Sequence, residues 1–111
     1  MAVLSKTLIQ AKEAEAVLTA QYTAVGCRAV IDKFTATNHG VGDVQFSIHI
    51  VPNAGTATVV NQILRTRTIA PGECYLCPEI VGHILEAGSF ISTIANTANA
   101  ITICASGREI T

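Results

Sequence analysis

The sequence predicts an all-β chain, an antiparallel sandwich or barrel, and three observations carry that expectation. From Arg28 onward, runs rich in β-branched residues are punctuated by Gly, Pro, Asn and Asp at intervals of roughly ten residues. Val44, Phe46, Ile48 and Ile50 alternate with Gln45, Ser47 and His49, the pattern of a strand with one face in the core. The length of 111 residues suffices for one domain with one core and is short for two.

Residues 1–20 differ in kind and read as an N-terminal arm ahead of a sandwich at 21–111. Lys12-Glu13-Ala14-Glu15-Ala16 are strong helix formers, and Leu4, Leu8, Ala11, Glu15 and Leu18 follow a loose helical spacing. Lys6-Thr7-Leu8-Ile9-Gln10 suits an edge strand equally well, so both conformations stay open. Because termini are poorly held unless something ties them down, the arm is the segment expected to reach a neighbouring subunit. Leu4, Leu8 and Ile9 are its candidate contacts.

Residues 28–38 read as a long strand, closed by the turn-rich Asn38-His39-Gly40-Val41-Gly42-Asp43, and are expected to pair with 44–51 as a hairpin. Residues 52–58 have loop composition, and 59–64 read as a short helical turn leading into a strand through Ile69. Ala70-Pro71-Gly72-Glu73 is a turn in which Pro presets the first central residue and Gly permits positive φ at the second. A strand then begins at Cys74 and ends at Pro78. Residues 78–83 are irregular, 85–89 turn, and 90–95 and 100–106 read as strands of a second hairpin joined through Asn96-Thr97-Ala98-Asn99.

Only 14% of residues are charged, against about 25% in an ordinary soluble domain. Monomers rarely leave large apolar patches in water. The chain is therefore expected to be covered in part by other protein, as a homo-oligomer (dimer or trimer) or by docking on an assembly. A net charge of −1 without any Lys or Arg run excludes a phosphate-neutralising surface, so no nucleic-acid partner is expected. No apolar run approaches the roughly 20 residues that span a bilayer. Glu13 and Glu15 interrupt the place of a signal-peptide core, so no membrane partner and a non-exported chain are expected.

Gly72-Glu73-Cys74-Tyr75-Leu76-Cys77-Pro78-Glu79 holds the one stretch that looks like chemistry, a CxxC. A zinc site needs both sulfurs on one side of a tight turn and a second ligand pair. Tyr75 and Leu76 are instead strand formers, and residues three apart on a strand point to opposite faces. Cys27 and Cys104 are isolated, and no helix follows the motif to lower a thiol pKa. Space-filling thiols are expected, reduced in the absence of export, with no metal and no cofactor. His39 in a turn, His49 on a polar strand face and His83 near a loop read as surface or interface residues, without a triad partner. The acidic residues are dispersed and no phosphate-cradling Gly loop is present, so no catalytic residue and no enzyme activity are expected. Arg65 and Arg67 share one face if their segment is a strand, either as a solvated face or as a subunit contact.

Several of these segments together resemble a group of small phage virion structural proteins. The matching stretches are Gln21-Tyr22-Thr23-Ala24 with Arg28-Ala29-Val30-Ile31, Thr37-Asn38, and Ile50-Val51-Pro52-Asn53-Ala54-Gly55-Thr56-Ala57 with residues 61–64. Ile69-Ala70-Pro71-Gly72-Glu73, Leu85-Glu86-Ala87-Gly88 and Ala105-Ser106-Gly107-Arg108-Glu109-Ile110 complete them. Ser89 stands where the resemblance leads one to expect Asp. The resemblance implies a jelly-roll-like sandwich and a capsid cementing or decoration protein on the virion exterior, assembled in the host cytoplasm, with the phage major capsid protein as partner. A tail, collar or baseplate component is the alternative. A small ligand- or carbohydrate-binding sandwich is a third reading, for which two Tyr, three Phe and no Trp make a poor sugar platform.

Overall fold

A computed structural model describes residues 2–111, and among them nine strands and no helix form. The strands are β1 (Val3–Glu13), β2 (Thr19–Thr23), β3 (Arg28–Asn38), β4 (Val44–Val51), β5 (Gln62–Ile69), β6 (Cys74–Tyr75), β7 (Ile84–Leu85), β8 (Phe90–Ala95) and β9 (Ile101–Ile110). One sheet has the order β1-β9-β3 with β6 and β7 both on the far side of β3, and the other the order β2-β8-β4-β5.

All pairings are antiparallel, and they match the chain ends inward: β1 with β9, β2 with β8, β3 with β6 and β7, and β4 with β5. The chain is thus one long hairpin whose successive strand pairs fall alternately into the two sheets, the double Greek key of a jelly roll. The expected fold class is what forms.

The two expected local hairpins do not. β3 and β4 lie in different sheets, as do β8 and β9. Residues 39–43 and 96–100 each carry the chain across the sandwich rather than back along the same sheet. The physical reason is burial: β3 and β4 each have one apolar face, and crossing lets those faces pack on each other. Phe34 of β3 and Phe46 of β4 meet in this way, with ring centroids 6.5 Å apart. Around them Ile31, Ala36, Ile101 and Ile103 of one sheet face Ile48, Ile91 and Ala95 of the other, all buried. Each large side chain so placed contributes about 1.5–3 kcal/mol.

The N-terminal segment is a strand of the sandwich and not a detached arm. β1 pairs with β9 from Val3↔Ile110 to Glu13↔Thr102, and the Ala14 N–H continues onto the Ile101 carbonyl at 2.7 Å. The boundary at 20/21 falls inside β2. Leu8 and Ile9 are 7% and 3% exposed, which removes them as subunit contacts. The register shift between Thr7 and Ile9 is what lets two consecutive residues both be buried. Leu4 keeps its exposed position. Met1, which the expected arm included, lies outside the described residues. Close packing of β9 on β3 also needs Gly107, where an added Cβ would stand 2.0 Å from the Val30 carbonyl oxygen.

Candidate functional site

Antiparallel pairing sorts the connections into two groups. Residues 14–18, 39–43, 70–73 and 96–100 lie at one end, the arch end. Residues 24–27, 52–61 and 86–89 lie at the other with both chain termini, the termini end. The molecule is long, 46 × 26 × 19 Å, so the two ends are separate surfaces.

The arch end is closed by Asn38, which is fully buried. Its Nδ2 donates to the carbonyls of Gly42 and Ile69, both at 2.8 Å, and its Oδ1 accepts from the Gly40 N–H at 2.8 Å. Its backbone bonds Glu73 and Gly72, so one residue ties the 39–43 crossing to the 70–73 turn. Nearby, Glu15 accepts from Lys12 and Gln21, and Gln21 also donates to the buried Thr93 hydroxyl at 3.0 Å. Those donors, Lys12 foremost, hold the Glu15 carboxyl below its usual range.

The termini end differs in chemistry. Loop 52–61 contains no charged residue and is organised by its own polar groups. Asn61 Nδ2 donates to the Thr56 carbonyl at 2.9 Å, Asn61 Oδ1 accepts from the Thr58 N–H at 3.0 Å, and the Gly55 N–H reaches the Pro52 carbonyl at 2.9 Å. The expected helical turn at 59–64 is replaced by this knot, and Val59 and Val60 project from it 73% and 90% exposed. Gly88 at φ +86° lets the 86–89 turn approach Asn53 so closely that an added Cβ would lie 2.5 Å from its side chain. Val25 on the 24–27 connection, with Val3 and Leu4 at the start of β1, is exposed at the same end. Beneath them the Tyr22 hydroxyl donates to the Glu109 carboxylate, and Lys6 Nζ lies 3.2 Å from it. The Tyr22 hydroxyl, then Lys6, draw Glu109 below the usual carboxylate range. Burial and that same carboxylate push Tyr22 up.

Of the sequence-predicted positions, Leu4 alone belongs to this end as an exposed apolar residue. Arg65 and Arg67 are exposed on β5, but Thr66 between them has φ 42° at a register shift and donates its N–H to Ser47 Oγ at 2.9 Å. Arg67 lies 4.3 Å over the Tyr75 ring of its own chain, a cation–π contact that occupies it. Val25, Val59 and Val60 were missed by periodicity. The signal for Val59 and Val60 is two adjacent valines in a Pro, Gly, Asn and Thr loop, where no alternation can bury them.

The strand expected from Cys74 to Pro78 is cut to Cys74–Tyr75, so the separation of the two thiols does not come from strand alternation. Cys74 is exposed and Cys77 fully buried, and burial, followed by Glu79, pushes the Cys77 thiol up to about 12. Beyond Tyr75 the backbone leaves the sheet and turns, with Cys77 at φ 49°. All four cysteines are free. Among the described residues no group of three or more His, Cys, Asp or Glu side chains is placed to hold a metal ion. His39 lies 2.9 Å from the Glu13 carboxylate on the surface. His49 departs from expectation: it is buried, its Nδ1 has no partner, and burial lowers its pKa. The polar side of β4 is thus no solvated face, since Ser47 is buried as well. A comparison of the chain with known protein families, curated proteins and solved structures finds no match.

Proposed function

We propose that the chain is a structural protein of a phage particle, a cementing or decoration protein that docks its termini end on the major capsid lattice. One observation carries this reading. A charge-free loop is locked by its own hydrogen bonds and holds two adjacent valines in water. An apolar tip that is already ordered loses little conformational entropy when it docks, and preorganisation of this kind is what turns modest buried area into affinity. Each valine removed from water adds roughly 25 cal/mol per Å², and repetition over a symmetric lattice multiplies the contact by avidity. The jelly-roll order of strands and the low charge support the same reading. Jelly rolls also serve in lectins and cupins, so the fold by itself is an analogy.

The test is head stability. Heads assembled without the chain rupture at a lower temperature or under milder salt depletion than heads carrying it, and adding the purified chain back restores them. Equal stability with and without the chain overturns the cementing reading. Recovery of the chain with purified tails, and not with tailless heads, replaces it with a tail component.

A further inference from the structure

The free edge of the first sheet carries an ordered hydrogen-bonding template. Ala2 and Thr111 exchange both backbone hydrogen bonds, at 3.1 and 2.9 Å. Hydrogen-bonded and non-hydrogen-bonded partners alternate along an antiparallel pair, and the β1–β9 register runs without a shift from Val3↔Ile110 to Thr7↔Ser106. Leu4 and Lys6 therefore direct their backbone groups to β9. Val3, Ser5 and Thr7 direct theirs out of the sheet, giving an unpaired N–H and C=O at every second residue.

The other sheet edges are blunted. β2 has five residues and a shift between Ala20 and Tyr22. β5 is interrupted at Thr66 and carries two arginines, and β6 and β7 have two residues each. The shifts in β1 lie only beyond Thr7. Residues 3–5 bear no charge, and the one charge among residues 3–7, Lys6, is already paired with Glu109.

We propose that residues 3–7 of β1 pair antiparallel with the same segment of a second copy, about a two-fold axis at Ser5, so that two jelly rolls share one continuous sheet. The occupant follows from the edge itself. Outward groups at 3, 5 and 7 are self-complementary under that axis, which sets Ser5 opposite the partner's Ser5 and Val3 opposite the partner's Thr7. Such a contact uses the same patch on both copies and closes as a dimer. No like charges face each other across it.

Sedimentation of the full chain over a concentration series tests this with two variants. Ser5→Pro removes only an N–H that faces outward, a position where an edge strand accepts proline. Its dimer dissociation constant rises by about tenfold or more, the loss of about 1.4 kcal/mol, while its unfolding temperature stays within a few degrees of wild type. Ser5→Lys sets two like charges across the axis and weakens the dimer in low salt, with recovery as salt screens them; it keeps the test decisive if the proline variant fails to fold. A wild type that is monomeric throughout, or an oligomer indifferent to both changes, overturns the proposal. This pairing does not depend on the capsid role: a monomeric chain that still protects heads removes the edge pairing and leaves cementing intact.

Discussion

Two asparagines show how the ends of the sandwich differ. Asn38 spends its amide on Gly40 and Gly42 in one connection and on Ile69 at the end of β5. Asn61 spends its own on Thr56 and Thr58, inside a single loop. The first arrangement closes an end by joining elements distant in sequence. The second stiffens a loop through side-chain bonds confined to that loop, and its gain is the exposure of Val59 and Val60 in a fixed geometry. A polar side chain that links elements contributes to global stability, whereas one that organises a loop contributes to what the loop can bind.

Substitution at each asparagine and its surroundings sharpens that contrast. Asn38→Ala takes the amide partner from the buried Ile69 carbonyl and from the part-buried Gly42 carbonyl and Gly40 N–H, and we expect a loss of about 2–4 kcal/mol in chemical denaturation. A loss below about 0.5 kcal/mol would mean that water replaces the side chain and that the arch end is not closed by it. The double change Val59→Asp and Val60→Asp alters stability by no more than about 0.5 kcal/mol, because neither side chain is packed. If the chain cements heads as proposed, the same change is expected to abolish its binding to them. Thermal stability that falls together with binding would show the loop to be part of the core.

Acid acts at both ends. Glu15 and Glu109 have folded pKa values below the ordinary 4.5, so the stability they supply is present above that value and is lost as pH falls through the lower folded ones. We expect the unfolding temperature to be level from neutrality to about pH 5 and to decline below it, with part of the decline removed by Glu109→Gln. A level profile down to pH 3 would contradict the hydrogen-bonded carboxylates. The smallest effect concerns the thiols. At pH 8 an alkylating reagent labels the exposed Cys74 quickly, while Cys77, buried and raised to about 12, reacts only on unfolding. Equal rates at the two positions would show that residues 74–79 open in the native state.

The strands were legible in the sequence wherever a single period governs them. The boundaries of β3 and β8 follow from β-branched runs between turn signals, and alternation marks β4 together with its core residues Phe46 and Ile48. Their partners were not legible. A turn such as 39–43 has the same Gly and Asp content whether the chain returns along its own sheet or crosses to the other. Only the need to pack β3 against β4 across the core decides between them, and that is a property of the whole chain. At β1 the sequence left helix and edge strand open, and the edge strand is what forms: a shift in register buries Leu8 and Ile9 together and breaks the alternation that would have decided for it. Val59 and Val60 lack any period because nothing in their own chain packs on them.

Electron microscopy of heads carrying the chain, at a resolution that traces its strands, tests the assignment of the termini end most directly. Loop 52–61 is expected against the capsid lattice, with Val59 and Val60 covered and the arch end turned to solvent. A density in which the arch end meets the lattice and the two valines face water contradicts it.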